Sequence, residues 1–78
     1  MLKSINKYIK NNEFSINIIE NDIDVNNFID ITILEQNKIV LQIPNGYLRI
    51  FGSNLTIKRL LDNEILINGE ISSMEFIK

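Results

Sequence analysis

The chain has 78 residues, 45% of them hydrophobic, with no cysteine, no histidine and a net charge of −2. This length predicts one small domain that buries roughly 60% or a little more of the surface of its unfolded chain, with no disulfide to stabilise it. Zinc-finger-type metal sites, Cys/His nucleophile pairs and Ser-His-Asp triads are excluded, because their side chains are missing. The acidic residues are scattered singly along the chain, so we predict no catalytic residue, no enzyme activity, no small-molecule substrate and no cofactor.

The first ten residues carry three lysines and no acid, which leaves a net charge of −5 on residues 11 to 78. A nucleic-acid binder usually needs a basic stripe to neutralise phosphates, so this acidic body makes nucleic acid an unlikely general partner. The chain has no run of 18 apolar residues and no apolar segment of the signal-peptide kind. It therefore predicts no membrane span and no signal peptide.

Residues 2–10, LKSINKYIK, place apolar side chains at helical spacing and lysines elsewhere around the turn. We predict a short amphipathic helix or arm over residues 1–12, followed by a single β domain over residues 13–78. Two helical turns are unstable alone in water, so the helix would dock on the domain, on a partner or on a membrane surface. Its membrane- or partner-docking residues would be Leu2, Lys3, Ile5, Lys7, Ile9 and Lys10.

From Phe14 onward the hydrophobic period changes to two, which is typical of strands. We predict strands near 14–20, 23–26, 28–35, 38–43, 47–51, 55–60, 64–68 and 70–77, separated by turns at 35–37, 44–46, 52–54 and 62–63. The pattern favours an antiparallel meander that closes into a β-sandwich or a small barrel; a β-roll has the same strand pattern. The predicted structural turn residues are Asn45, Gly46, Gly52 and Asn54, and Gly69 predicts a bulge or a sharp bend.

Strict alternation divides the strands into two faces. The predicted core face consists of Ile29, Ile31, Ile33, Ile39, Leu41, Ile43, Leu48, Ile50, Leu55, Ile57, Ile65 and Ile67. The opposite face also carries apolar residues, namely Phe28, Leu34, Val40, Tyr47, Phe51, Leu60 and Leu66. These could form a contact surface, or they could be covered by the N-terminal helix and strand 14–20.

Aromatic and arginine side chains carry much of the energy at protein interfaces, so the predicted interface residues are Phe28, Tyr47, Arg49 and Phe51. Three of them, on the strand YLRIF, also resemble the platform on which small β domains stack bases. A single-stranded nucleic-acid binder using Tyr47, Arg49 and Phe51, with Lys58 and Arg59 nearby, is therefore one alternative. A peripheral membrane adaptor held by the basic N-terminal helix is another.

The segments "NGYLRIFGSNLTIKRL" and "EILINGEISSMEF" combine glycines, Asn54, Lys58 and Phe76 at a spacing that resembles the YabP/YqfC family of small sporulation proteins. The resemblance extends over residues 14–78 and leaves open whether the chain is closer to the YabP or the YqfC branch. It implies an immunoglobulin-like β-sandwich without catalytic residues, made in the mother cell of a sporulating bacterium.

In that setting the protein would be a structural or interaction component in development of the spore envelope, either cortex or coat. The partners implied are a second copy of the chain (a homo-oligomer) or other sporulation proteins, a membrane-embedded one among them. The expected location is the cytoplasm of the mother cell, with the outer membrane surface of the forespore as one candidate place.

Overall fold

The structure is a computed structural model that describes residues 13–78. The predicted N-terminal helix, with its docking residues, lies outside the described residues. The described chain is all-β, as predicted. Its strands are β1 (Ser15–Ile19), β2 (Asp22–Asn26), β3 (Asp30–Leu34), β4 (Lys38–Ile43), β5 (Gly46–Leu61) and β6 (Glu64–Ile77).

All six strands belong to one antiparallel sheet with the order β1-β2-β6-β5-β4-β3. Strands that follow each other in sequence mostly pair through tight turns, as a meander predicts. The exception is β2, which pairs with the distant β6 because the chain crosses to β3 after Asn26. Within residues 13–78 the pairing is that of an open sheet, so it shows neither two separate sheets nor a closed barrel.

Residues with a positive φ mark two of the hairpin turns. The turn between β4 and β5 has Asn45 at φ 71° and Gly46 at φ 155°, which confirms the predicted Pro44-Asn45-Gly46 hairpin. The predicted turns at 35–37 and 62–63 are also confirmed. Glu20, at φ 54°, begins the two-residue turn between β1 and β2.

The predicted turn at 52–54 is wrong, because β5 runs through these residues without interruption. Gly52 and Asn54 instead lie where the register between β5 and β6 shifts, and Asn54 adopts φ 55°. Gly69, at φ 152°, stands opposite this shift, so the predicted bulge there is confirmed. A Cβ atom on Gly69 would lie 2.9 Å from the carbonyl oxygen of Asn54, so the two backbones pass too closely for any other residue.

This irregular zone divides the sheet into two parts. We call β1 and β2, with residues 56–61 of β5 and 64–68 of β6, the β2 half. We call β3 and β4, with residues 46–53 of β5 and 70–77 of β6, the β4 half. Both halves contribute to one hydrophobic core, which consists of Ile23, Val25, Ile39, Leu41, Ile43, Leu48, Ile50, Leu55, Ile65 and Ile67.

The sheet curves strongly enough to bring strands together that do not pair. Residues 28–31, at the start of β3, line one depression with residues 60–63, at the end of β5. On the opposite side, Phe14 lines a depression with Phe76 and the turn between β4 and β5. The core therefore lies inside the curve, with an open side between β3 and β5 and another between β1 and β6.

Two bulges change which face of the sheet several side chains lie on. The register shift between Ile31 and Ile33 places Ile33 opposite Val40 on the outer face and Leu34 opposite Ile39 on the core face, the reverse of the predicted facing. At this sheet edge Leu34 is nevertheless 54% exposed, as expected, and Ile33 is partly buried. The shift between Ile57 and Arg59 likewise places Leu60 opposite Ile65 on the core face, although Leu60 lies at the margin and is 51% exposed.

The remaining differences from the predicted core lie near its margins. Ile29 is largely exposed, whereas Ile31 and Ile57 are partly buried and pack against the core. Phe28 also packs against the core, so its predicted outward orientation is wrong. Ile23 and Val25 of β2 complete the core, although the two faces of that short strand could not be assigned from the sequence.

Candidate interaction surface

Tyr47, Arg49 and Phe51 project from the outer face of β5 in the β4 half, and we call these three residues the β5 surface. Alternation places them there, because Leu48 and Ile50 between them are fully buried in the core. Tyr47 is 41% exposed, and Phe51 is partly buried. The register sets Val40 directly opposite Arg49, and Val40 is only 6% exposed although it faces away from the core. The β5 surface thus lies on a small apolar patch on the outside of the sheet.

The side chain of Arg49 is held between two neighbours. Its Nε and Nη2 atoms donate to Oε1 of Glu75 on β6, at 3.1 and 2.5 Å. Its guanidinium carbon also lies 5.8 Å from the centroid of the Phe51 ring, within the range of a cation–π contact. Arg49 is therefore preorganised over the patch, and Glu75 neutralises its charge.

The structure does not place Phe28 with the other three predicted interface residues. Phe28 precedes β3, packs against the core and lines the depression shared with the end of β5. The sequence could not show this, because residues 27–29 lie outside any strand and alternation does not fix their facing.

The outer face of the β2 half is built from charged pairs. Lys58 Nζ lies 3.3 Å from Asp22 Oδ2, and Arg59 Nη2 lies 2.7 Å from Glu64 Oε2. The side-chain amide of Asn68 donates to Asp22 at 2.7 Å. This hydrogen bond, followed by the contact with Lys58, lowers the pKa of Asp22. These side chains partner one another, so this face does not offer unpaired cations.

Asp24 is the exception on this face. Its Oδ1 atom is buried and has no hydrogen-bond partner within the described residues. Burial raises the pKa of Asp24, and a hydrogen bond with Glu64 raises it further. The pKa of Glu64 is lowered, first by Arg59 and then by Asp24. Asp24 therefore holds a proton to a higher pH than an ordinary aspartate and can donate it to Glu64.

The sequence indicated only single, scattered carboxylates, so it missed the proximity of Asp24 and Glu64. They meet because β2 pairs with β6, with Asn26 opposite Glu64 and Asp24 opposite Leu66. No short-range signal could reveal a pairing between segments about 40 residues apart. Arg59 lies beside Asp24 and Glu64, and it forms an ion pair with Glu64.

The arrangement disfavours the nucleic-acid alternative. Arg49 lies on the β4 half, whereas Lys58 and Arg59 lie on the β2 half, so the three cations do not form one stripe. Each of them has an acidic partner within 3.3 Å. Between Glu13 and Lys78 no group of three or more acidic, histidine or cysteine side chains could hold a metal ion. The same residues contain no helix long and apolar enough to cross a bilayer.

A model of the YabP family matches residues 10–78. The chain belongs to the YabP family. The match includes every described strand, both bulge glycines of the β5–β6 hairpin and the β5 surface. Searches of curated proteins and of solved structures found no significant match. Membership in the YabP family confirms the resemblance seen in the sequence.

Proposed function

We propose that this protein is a non-enzymatic assembly module in the development of the spore envelope, cortex or coat. The observation that carries the proposal is the match of the YabP family to residues 10–78. The family resemblance implies action in the mother cell, beside the forespore membrane. The core shared by the two halves of the sheet supports the immunoglobulin-like packing that this resemblance implies.

The β5 surface is the proposed contact for a second sporulation protein. It combines an exposed tyrosine with an arginine that is already held in place, and such residues lose little conformational entropy on binding. The neutralising Glu75 favours a partner that covers the patch with apolar groups over one that offers only negative charge. Tyr47, Arg49 and Phe51 keep their predicted interface role, whereas Phe28 would contribute only through packing.

The side-chain chemistry supports a role without catalysis. Asp22, Glu64 and Glu75 are engaged in ion pairs on open faces of the sheet. The Asp24–Glu64 pair lies beside Arg59 and is partly buried. Asp22 and Asp24 line a depression with Arg59, but Asp22 and Glu64 are already paired there with Lys58 and Arg59, which leaves their charges engaged within the protein.

Deletion of the gene in its own sporulating host tests the proposal. We expect vegetative growth to remain unchanged and the yield of heat-resistant spores to fall, because the module is needed only for the envelope. A fluorescent fusion that restores the yield should appear in the mother cell after sporulation begins. Normal heat-resistant spores from the deletion strain, or an equal requirement during vegetative growth, would contradict the proposal.

A further inference from the structure

Among residues 13–78, the sheet has four edges that pair with no other strand. They are β1, β3, residues 56–61 of β5 and residues 70–77 of β6. An unpaired edge presents free N–H and C=O groups, which form a template for another strand. Natural proteins usually blunt such edges with bulges, charges or proline. The four edges differ in whether they carry these devices.

Three edges are blunted. In β3 a bulge follows Ile31, and the carboxylate of Asp30 accepts the backbone N–H of Ile31 at 2.8 Å. The free part of β6 carries Glu70 and Glu75, and the free part of β5 carries Lys58 and Arg59. An antiparallel pair of identical edges of either kind would bring like charges together, which is unfavourable.

The edge of β1 carries none of these devices. Its sequence, SINII, has no charge and no proline, and its register with β2 runs without a bulge. Ile18 is 56% exposed and Ile19 is 69% exposed, on opposite faces of the strand. The neighbouring Ile16 packs against the core, so β1 is anchored to the domain.

The turn between β1 and β2 fixes which backbone groups are free. In a two-residue hairpin the residues that flank the turn form a hydrogen-bonded pair, here Ile19 with Asp22. Hydrogen-bonded pairs alternate along the ladder, so Asn17 and Ser15 also bond to β2. The N–H and C=O groups of Ile16 and Ile18 therefore point away from the sheet.

We infer that β1 is a self-pairing edge, at which a second copy of this chain adds its own β1 antiparallel across a two-fold axis at Asn17. In this register Ile16 faces Ile18 of the partner and Ile18 faces Ile16 of the partner, and the two pairs form four backbone hydrogen bonds. Asn17 faces Asn17 of the partner as an uncharged pair. The two sheets become one sheet of twelve strands.

Charge supports a second copy as the occupant. In this register Glu20 faces Phe14 of the partner and Glu13 faces Asn21 of the partner, so no carboxylates meet. The inference deepens the proposed function, because it names a second copy as one partner of the assembly module. It does not use the β5 surface, so that surface remains available to a different protein.

A cysteine at the two-fold axis tests the pairing directly. The chain has no cysteine of its own, so Asn17→Cys introduces a single thiol. Opposite residues in such a non-hydrogen-bonded pair have Cβ atoms about 4.5–5.5 Å apart, close to the separation that a disulfide needs. Under mild oxidation at micromolar concentration, we expect most of the Asn17→Cys protein to become a covalent dimer. The matched control, Thr32→Cys on the blunted edge of β3, should remain mainly monomeric.

A second variant separates folding from pairing. Asn17→Lys places an ammonium group opposite Asp24 in the same chain, which should help folding, and opposite a second lysine across the axis, which should oppose pairing. Light scattering over a concentration series should show a dimer for the wild type. Asn17→Lys should be a folded monomer at the same concentrations, because the dissociation constant of its dimer should be at least tenfold higher. A wild type that stays monomeric, or a dimer that Asn17→Lys leaves unchanged, would overturn the inference.

Hydrogen exchange on the same samples shows which segment pairs with the free edge of β1. Protection of the Ile16 and Ile18 amides from hydrogen exchange in a monomeric wild type would assign the edge to another segment of the same chain and overturn the inference. These results are independent of the proposed function, because the protein could dimerise even if its deletion left spores normal, and a monomeric protein could still be required for spores.

Discussion

The two halves of the sheet use the same alternating pattern, yet their outer faces differ. On the β2 half, charged residues of β2, β5 and β6 partner one another, with the buried Oδ1 atom of Asp24 as the exception. On the β4 half, Tyr47, Phe51 and Val40 form an apolar patch next to Arg49, whose charge Glu75 neutralises, and Lys38 lies directly opposite Phe51. Surface ion pairs contribute little to stability, whereas an apolar patch gains free energy when a partner covers it. We therefore propose the outer face of the β4 half, and not that of the β2 half, as the contact surface.

Gly69 joins the two halves, and its substitution should have the largest effect on the free energy of unfolding. In Gly69→Val the side chain would meet Asn54 and Leu55 at about the distance of a clash, at a φ that only glycine adopts readily. We expect a loss of about 3 kcal/mol or more in the free energy of unfolding. Urea denaturation followed by circular dichroism measures it. As a control in the same bend, Asn54→Gly should change stability by less than about 0.5 kcal/mol, because Asn54 already adopts a positive φ.

Substitution of the β5 surface should have a moderate effect on the free energy of unfolding, as the comparison of the two outer faces predicts. Tyr47→Ser with Phe51→Ser should cost about 1–2 kcal/mol, since Tyr47 is exposed and Phe51 only partly buried. The double variant should therefore remain folded, with a cooperative thermal transition. Loss of that transition would mean that these residues belong to the core of the domain and are not a contact surface.

Substitution of Asp24 should have a smaller effect on stability, and this effect should depend on pH. Because the folded-state pKa of Asp24 is raised above its ordinary value of 3.8, ionisation costs stability as the pH rises through that pKa. Asp24→Asn removes this cost and can still donate to Glu64. The variant should be more stable than the wild type at pH 7, by a fraction of 1 kcal/mol and roughly 1–4 °C in Tm. The advantage should disappear below about pH 3.8, where the wild-type residue is protonated in both states. An advantage that persists at pH 3 would contradict this origin.

The smallest expected effect is that of the exposed pair between Arg49 and Glu75. Glu75→Gln should cost about 0–1 kcal/mol at low salt and less at 1 M salt, because exposed ion pairs are screened. Thermal unfolding at the two salt concentrations measures the difference. A loss above 2 kcal/mol would show that Arg49 depends on Glu75 for more than a surface contact.

Much of the fold was predictable from the sequence. The period of two and the residues of the tight turns predicted most strand positions and eight of the buried core side chains. Alternation failed at the bulges, because one extra residue in β3 or in β5 reverses the facing of every residue after it. That is why Ile33, Leu34 and Leu60 were assigned to the wrong faces.

The candidate surfaces were predictable to a lesser degree. Tyr47, Arg49 and Phe51 were placed together because they lie on one regular strand. The partners of Arg49 and Asp24 come from β6, which is distant in sequence, so the ion pair of Arg49 and the raised pKa of Asp24 beside Glu64 required the structure. The contrast among the four sheet edges likewise depends on which strands remain unpaired, and that is a property of the topology.

The central claim is that the β5 surface acts in spore formation, and complementation of the deletion strain tests it most directly. The strain would express the wild type, the Tyr47→Ser, Phe51→Ser variant, or a control with Leu60→Ser and Leu61→Ser, two exposed apolar residues away from the β5 surface. With equal protein levels, we predict that the wild type and the control restore heat-resistant spores and that the β5-surface variant does not. Full restoration by the β5-surface variant would contradict the claim.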